Sequence, residues 1–236
     1  MLIPSHRHTA ADLALWAEYE EADYLTPMPS QLPRIARKLI QDCPADYIST
    51  SWGKDSVVMM HLAATAKTAL PPAVWVRMVG QNGSSRDNPD CELVRDAFLR
   101  QFPKIVYHER TFVYENCPKN QHWRAIAKEF GPRRMIGIRA GESGTRSMSL
   151  RHLGANTKNT LRPIGYWKTR HVFGWLAKKS LPIHPAYAML GGGRYLRGHL
   201  RTHGIGGSTG DNRGRREWER EYYPDICAEI QRREQT

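Results

Sequence analysis

The stretch Tyr47-Ile-Ser-Thr-Ser-Trp-Gly-Lys-Asp-Ser56, continued by Val57-Val-Met-Met-His-Leu-Ala-Ala-Thr-Ala66, decides how the chain reads. Tyr47 and Ile48 suit the end of a buried strand. After Ser56, apolar side chains occupy most of a helical surface, and Ala and Met favour helix. Between strand and helix lies a short loop of small and hydroxyl residues with one Gly and one Lys. Such a joint aims free backbone N–H groups and the positive end of a helix dipole at one point, which suits a phosphate. Gly53 lets the backbone approach an anion closely. Ser51 and Ser56 can donate hydroxyl hydrogen bonds, and Lys54 adds a mobile positive charge. The same residues also suit a capped strand-to-helix turn with no ligand, Asp55 or Ser56 being the N-cap. As a surface loop, the stretch is expected to tolerate Lys54→Ala and Ser56→Ala at little cost in stability.

Outward from this joint, the composition is that of a globular protein. The 236 residues are 40% hydrophobic and 25% charged, enough for one α/β domain with an appendage and a sizeable core. The net charge of +12 is less ordinary and points to a polyanionic partner, either nucleic acid or a phosphorylated nucleotide. A basic surface with no special partner is the alternative. Cys43, Cys91, Cys117 and Cys227 lie far apart and form no Cys-x-x-Cys pair, so a disulfide framework and a zinc ribbon are both disfavoured. Free thiols in a reducing cytoplasm fit best. No signal peptide and no membrane span is read anywhere.

In chain order, residues 9–22 read as a helix capped by Thr9. A second helix runs from a Ser30 cap to about Gln41, with Leu32, Ile35, Leu39 and Ile40 on one face. These form an N-terminal helical segment, residues 1–44. Strands are expected at 73–79, 104–108 and 134–138, and helices at 91–102, 118–130 and 169–179, the last turning Val172, Phe173 and Leu176 inward. Alternation of strand and helix implies a parallel sheet with right-handed crossovers. Ligands of such sheets bind beyond the carboxyl ends of strands, where loops 49–56, 80–90 and 139–147 would converge.

Directly after the expected fourth strand comes Gly137-Ile-Arg-Ala-Gly-Glu-Ser-Gly-Thr-Arg146, whose two arginines, glutamate and hydroxyls make a plausible oxyanion loop or a merely solvated one. Further on stand Leu161-Arg-Pro-Ile-Gly-Tyr-Trp-Lys-Thr-Arg-His-Val-Phe-Gly-Trp-Leu176 and Leu181-Pro-Ile-His-Pro-Ala-Tyr187. Ser51-Trp-Gly-Lys-Asp-Ser56 resembles the Ser-Gly-Gly-x-Asp-Ser signature of the PP-loop ATP pyrophosphatases, and it lacks the Walker spacing. Trp52 replaces the family's usual Gly, a change expected to alter the pocket rim. The three later segments are similar, in family order, to motifs of the phosphoadenosine phosphosulfate (PAPS) reductases and their relatives. The likeness covers roughly residues 45 to 187.

This resemblance implies an α/β, parallel-sheet, adenine-nucleotide alpha-hydrolase-like domain over residues 45–190, binding ATP or a PAPS-like nucleotide with Mg²⁺. It implies Ser49, Ser51, Trp52, Gly53, Lys54, Asp55, Ser56 and Gly137 as nucleotide contacts. Lys54 and Asp55 would be catalytic, Asp55 helping to hold the metal. Arg139, Glu142, Ser143, Arg146, Arg162 and His184 would meet a substrate or second anion. The reductases' Glu-Cys-Gly-Leu-His motif is missing, and Cys227 lacks basic neighbours, so helix packing is its expected role. No Cys-Cys pair is present for the iron–sulfur cluster of related sulfurtransferases.

From residue 191 the character changes. Gly191-Gly-Gly193 reads as a flexible joint, followed by Arg194, Arg197, Arg201, Arg213, Arg215, Arg216 and Arg220 interleaved with aromatics. This basic extension, residues 191–236, is expected to bind a nucleic acid backbone through Arg194, Arg197, Arg201, Arg215 and Arg216, or to be a solvated tail or lid. His199 and His203 are spaced for a shared metal, but no third ligand lies nearby. Glu217 to Tyr223 and the residues from Pro224 read as short helices. A core ending at Leu190 should then keep the nucleotide. The leading expectation is cleavage of ATP at the α–β bond to adenylate an acceptor, in DNA or RNA modification or sulfur transfer, with a homodimer or modification partners conceivable. The alternatives are a sulfonucleotide reductase using an external thiol, and a non-catalytic nucleotide sensor or nucleic-acid binder.

Overall fold

The computed structural model describes residues 1–66, 69–80, 85, 87–113, 121–202, 204–206 and 214–234. Its centre is β1 (Tyr47–Thr50), flanked by β2 (Ala73–Val79) and β4 (Arg134–Ile136), with β3 (Tyr107–Val113) outside β2 and β5 (Thr160–Leu161) outside β4. The order is β3-β2-β1-β4-β5 and every pairing is parallel, Ile48 standing opposite Ala73 and Met135. The helices are α1 (Ala10–Leu25), α2 (Gln31–Asp42), α3 (Lys54–Ala64), α4 (Asp90–Gln101), α5 (Gln121–Phe130), α6 (Gly144–Leu153), α7 (Thr169–Lys178), α8 (Arg215–Tyr222) and α9 (Pro224–Glu234). The parallel α/β architecture is the one expected.

Helix α3 is buried on all sides. Val58, Met59, Met60 and Leu62 are fully enclosed, and the helix packs on β1, α2 and α7. Each such side chain contributes about 1.5–3 kcal/mol through burial. The opposite face of the sheet carries a smaller cluster of Tyr47, Val74 and Ile126, with Val76, Phe112 and Phe130 against it. Thr9 caps α1 as expected, in a reciprocal box with Asp12. Ser30 makes no side-chain cap, and Ile35 is 58% exposed, because α2 turns Ala36 and Ile40 inward instead.

Other boundaries moved for identifiable reasons. Strand β3 runs to Val113, beyond the expected 108, because its Glu109 and Arg110 are neutralised by Arg77, Arg95 and Glu129. Charge hid the strand from a hydrophobicity reading. The polar run after β4 is more ordered than a loop: Ser143 accepts the Arg146 N–H and starts α6. Neither α6 nor β5 was anticipated.

The largest correction concerns the segment after Leu190. Gly191–Gly193 form a 3-10 turn, with Gly192 at φ +62°, not a loose joint. Leu200, Ile205, Trp218, Tyr222 and Tyr223 are buried in the same core as α3. Trp218 Nε1 donates to the Met189 carbonyl at 2.9 Å, Tyr222 Oη lies 2.9 Å from both Asp12 carboxylate oxygens, and Tyr223 Oη donates to Asp90. Arginine and glycine in the sequence masked an aromatic face spaced i, i+4. Among the described residues no helix is long and apolar enough to cross a membrane.

Candidate nucleotide site

A cavity of about 430 Å³ opens at the carboxyl ends of β1, β2 and β4. It lies where the sheet order reverses on either side of β1, the usual place for a ligand in an open parallel sheet. Of the residues expected to touch a nucleotide, Ser49, Ser51, Gly53, Lys54, Asp55, Ser56 and Gly137 line it. Glu142 and Arg146 join them from the stretch after β4, so the loops expected to converge do meet.

The loop is built from the backbone outward. Gly53, not Asp55 or Ser56, is the N-cap of α3, and its carbonyl accepts from Val57 N (3.1 Å) and Ser56 Oγ (2.9 Å). Ser56 therefore braces the turn. A side chain at Gly53 would come within 2.9 Å of Thr202 Oγ1 and 3.3 Å of Tyr187 Oη. One at Gly137 would meet the Asp55 backbone at 2.9 Å. Both glycines are needed for close approach, the first to the later chain and the second between β4 and the first turn of α3.

Trp52 is the plainest departure from expectation. It is fully buried and points away from the cavity, edge-on to Trp75 and Tyr107 at centroid distances of 6.4 and 5.6 Å. Its φ of +58° is the left-handed conformation that glycine adopts freely. A strain of about 1–2 kcal/mol is set against burial of a whole indole. Trp52 anchors the loop from behind and does not shape the rim.

Nor does the chain hold Lys54 as a mobile charge in a surface loop. Lys54 is 5% exposed, its Nζ lies 2.9 Å from Asp55 Oδ2, and it sits 5.1 Å over the Tyr187 ring. Arg139, expected to bind an anion, is 1% exposed and donates Nε to Asp55 Oδ1 at 2.5 Å and Nη1 to the Trp167 carbonyl at 3.1 Å. Burial pushes the Asp55 carboxyl up, but Lys54 and Arg139 together hold it below its ordinary range. Burial opposes the Lys54 charge, and Asp55 outweighs it, leaving the ammonium above its ordinary range. Asp55 thus has a cation on each oxygen and does not fit a Mg²⁺ ligand in this arrangement. Among the described residues no group of three or more His, Cys, Asp or Glu is placed to hold a metal ion.

The remaining expected contacts divide. Glu142 Oε2 accepts from Arg139 N (2.8 Å) and pairs with Arg146 Nη1 (2.6 Å), which fixes Arg146 at the cavity wall. Ser143 is exposed and spent on capping α6, and Arg162 donates to Ser149 Oγ at 3.0 Å, outside the cavity. His184 is buried and also outside it. Its Nδ1 accepts from Ala186 N, so its proton sits on Nε2, 3.6 Å from Cys91 Sγ. Burial lowers the imidazole to about 3 and keeps it neutral.

The segment after Leu190 supplies part of the cavity that sequence reasoning missed. Leu200, Arg201 and Thr202 line it, and Tyr187 Oη accepts the Lys54 N–H at 3.2 Å. Asp87, Cys91, Trp123 and Arg134 line it as well, Arg134 lying 4.3 Å over the Trp123 ring. Only Tyr187 carried a signal, its place in the Leu-Pro-x-His-Pro-x-Tyr run. A chain ending at Leu190 would lose this wall, contrary to expectation. The basic extension is also less free than its composition suggests. Arg194 pairs with Glu221, Arg197 with Asp23, and Arg215 with Glu219, while Arg197 further packs 4.0 Å over the Phe173 ring. Arg216 is exposed. Cys117, His203 and Arg213 lie outside the described residues.

No family model matches the chain, and no curated protein matches it. Among solved structures it is similar to the U34-tRNA thiolase NcsA from Methanococcus maripaludis with its 4Fe-4S cluster, at 13% identity and a TM-score of 0.47 over 87% of this chain and 78% of that one. It is also similar to phosphoadenylyl-sulfate (PAPS) reductase from Candida auris in a phosphate complex, at 10% identity and a TM-score of 0.44 over 71% of this chain and 87% of that one.

Proposed function

We propose that this chain is a PP-loop, PAPS-reductase-like enzyme that binds ATP and cleaves it between the α and β phosphates to adenylate an acceptor oxygen. The observation that carries this reading is the Ser51–Ser56 loop. It forms the first turn of a buried helix and opens into a cavity at the sheet's switch point. The N–H groups of Asp55 and Ser56 in the first turn of α3 and the Ser51 hydroxyl hold phosphate oxygens, with Lys54 behind them. The acceptor oxygen attacks the α phosphorus, the bond to the bridging oxygen breaks, and pyrophosphate leaves with its charge balanced by the cavity's cations. Arg134, Arg146 and Arg201 are the arginines that line the cavity. The nucleotide unit runs from about residue 45 through Thr202, since Leu200, Arg201 and Thr202 form one wall of its cavity. A base of DNA or RNA is the acceptor that the basic composition favours.

A second reading, a sulfonucleotide reductase with an external thiol, draws on one observation. Burial raises the Cys91 thiol well above its ordinary range and also raises Cys227, so neither is a ready nucleophile at neutral pH. The two readings part in one assay. Pyrophosphate release from ATP, stimulated by mixed tRNA or DNA, is expected. Turnover of PAPS with a small dithiol and none of ATP would replace the first reading with the second. Tight nucleotide binding with neither turnover would leave a sensor.

A further inference from the structure

The net charge of +12 demands places on the surface, and part of the basic extension is spent inside the fold, Arg197 and Arg215 being largely buried and paired with carboxylates. We propose that a groove along α2, lined by Arg34, Arg37, Lys38, Gln41 and Thr65, is where a nucleic acid lays its phosphate backbone. The groove is about 620 Å³ and no acidic residue lines it. It is separate from the nucleotide cavity: Thr65 caps the end of α3 remote from the loop, about 16 Å away at 1.5 Å per residue.

The cations that line the groove, Arg34, Arg37 and Lys38, all belong to α2, and Lys179 joins Arg37 at the Trp175 ring. Arg34 is exposed and makes no ion pair among the described residues. The Arg37 guanidinium lies 5.5 Å over the Trp175 ring, and Lys179 Nζ stands 5.3 Å from the same ring, so two cations share one indole. Lys178, also exposed, donates to the Thr26 carbonyl at the C-cap of α1. One of these cations is paired: Lys38 Nζ lies 2.8 Å from Asp42, with both side chains more than half exposed. Such a pair opens at little cost. The positive field has a record in the core beneath: burial, then Arg37 and Lys179, lower buried His61 to about 4.

Three of these five cations have work at helix ends, Lys178 through the Thr26 carbonyl that ends α1. Arg37 reaches Thr65 Oγ1 at the carboxyl end of α3, and Lys179 is the C-cap of α7. Arg34 and Lys38 have no such work. They stand four residues apart on one face of a rigid helix, a rise of about 6 Å, which suits successive phosphates of one strand. The lining is polar except for Pro33, which favours a nucleic acid over a lipid surface. The choice of nucleic acid as partner rests on the proposed acceptor; the binding groove itself does not depend on turnover.

The test uses the full chain, with labelled single strands, duplex DNA and mixed tRNA titrated by fluorescence anisotropy at several salt concentrations. About four to five phosphate contacts give a slope of log affinity against log salt of roughly −3 to −4. Arg34→Glu with Lys38→Glu should weaken binding at least about tenfold and flatten the slope by about 1.5 to 2, with ATP affinity and melting unchanged. Arg216→Glu with Arg220→Glu should change binding less than about twofold. Excess ATP should not displace the strand. The groove assignment is overturned by unchanged binding in the α2 variant, by loss of binding in the other variant, or by displacement with ATP. Binding of anionic vesicles but of no nucleic acid would make it a lipid surface, and no binding to any probe would remove it. Pyrophosphate release reports on the catalytic reading separately, since its loss with groove binding intact refutes only the enzyme.

Discussion

Arg139→Leu separates a positioning role from a ligand contact more sharply than any other substitution. The guanidinium is 1% exposed, holds one oxygen of Asp55 at 2.5 Å and reaches the Trp167 carbonyl at 3.1 Å. Removing one partner of a buried pair costs about 3–5 kcal/mol, because the other charge stays behind without its counterion. Lys54 remains on the second oxygen of Asp55, which trims the electrostatic part, while the carbonyl left bare adds about 1 kcal/mol or more. About 3–4 kcal/mol is therefore expected, equal to a melting shift of roughly 6–16 °C for a chain of this size. Urea unfolding supplies the free energy and scanning fluorimetry the shift. Asp55→Asn combined with Arg139→Leu should cost less than the sum of the two, by about 1–3 kcal/mol. An Arg139→Leu protein with native melting and no affinity for ATP would refute this reasoning and return Arg139 to the ligand.

Trp52→Ala should destabilise by about 3–5 kcal/mol while leaving ATP affinity of the folded fraction near wild type; a native melting curve with altered affinity would put the indole back at the rim. Acid unfolding carries a signature of Asp55: its carboxyl is depressed in the folded chain, so its stabilisation is present above its ordinary value of 3.8 and lost as pH falls below that. Asp55→Asn should flatten that limb in urea titrations between pH 5 and 2, and an unchanged limb would deny the pairing. Tyr187→Phe removes the acceptor for the Lys54 N–H and should cost about 1 kcal/mol of stability and weaken ATP binding in calorimetry, whereas full affinity would show the loop needs no wall. Alkylation under native conditions should reach half-buried Cys227 before buried Cys91 and spare ATP affinity, with mass spectrometry identifying the modified thiol.

How much of this was legible depended on where charge had gone. Strand β2 was read to the residue, and the capped start of α1 nearly so, because their signals are local: an apolar run in one case, Thr9 with Asp12 in the other. The loop at Gly53 was legible because glycine and hydroxyls between strand and helix leave few alternatives. Roles inside the site were harder. Lys54, Asp55 and Arg139 look like three ligand contacts in sequence, yet they neutralise one another, and only the third dimension brings residue 139 to residue 55. Thr202 and Asp87 have no signature at all, since each matters through what folds against it. The arginines after Gly193 misled for the same reason: their partners Asp23 and Glu221 are remote in sequence or just beyond the basic run.

The hydrogen bond from Lys54 N to Tyr187 spans 133 residues. On a ribosome, strand, loop and helix are synthesised long before the wall that fixes the loop's backbone. At 5–20 residues per second, roughly 7–27 s separate the two ends of that bond. During this interval the first turn of α3 lacks its latch, and Gly53 has neither hydroxyl beside it. Contacts of such sequence separation form late and slow the folding of a chain. Nucleotide affinity should therefore emerge in nascent chains as a late, abrupt event, after the segment through Thr202 has cleared the exit tunnel.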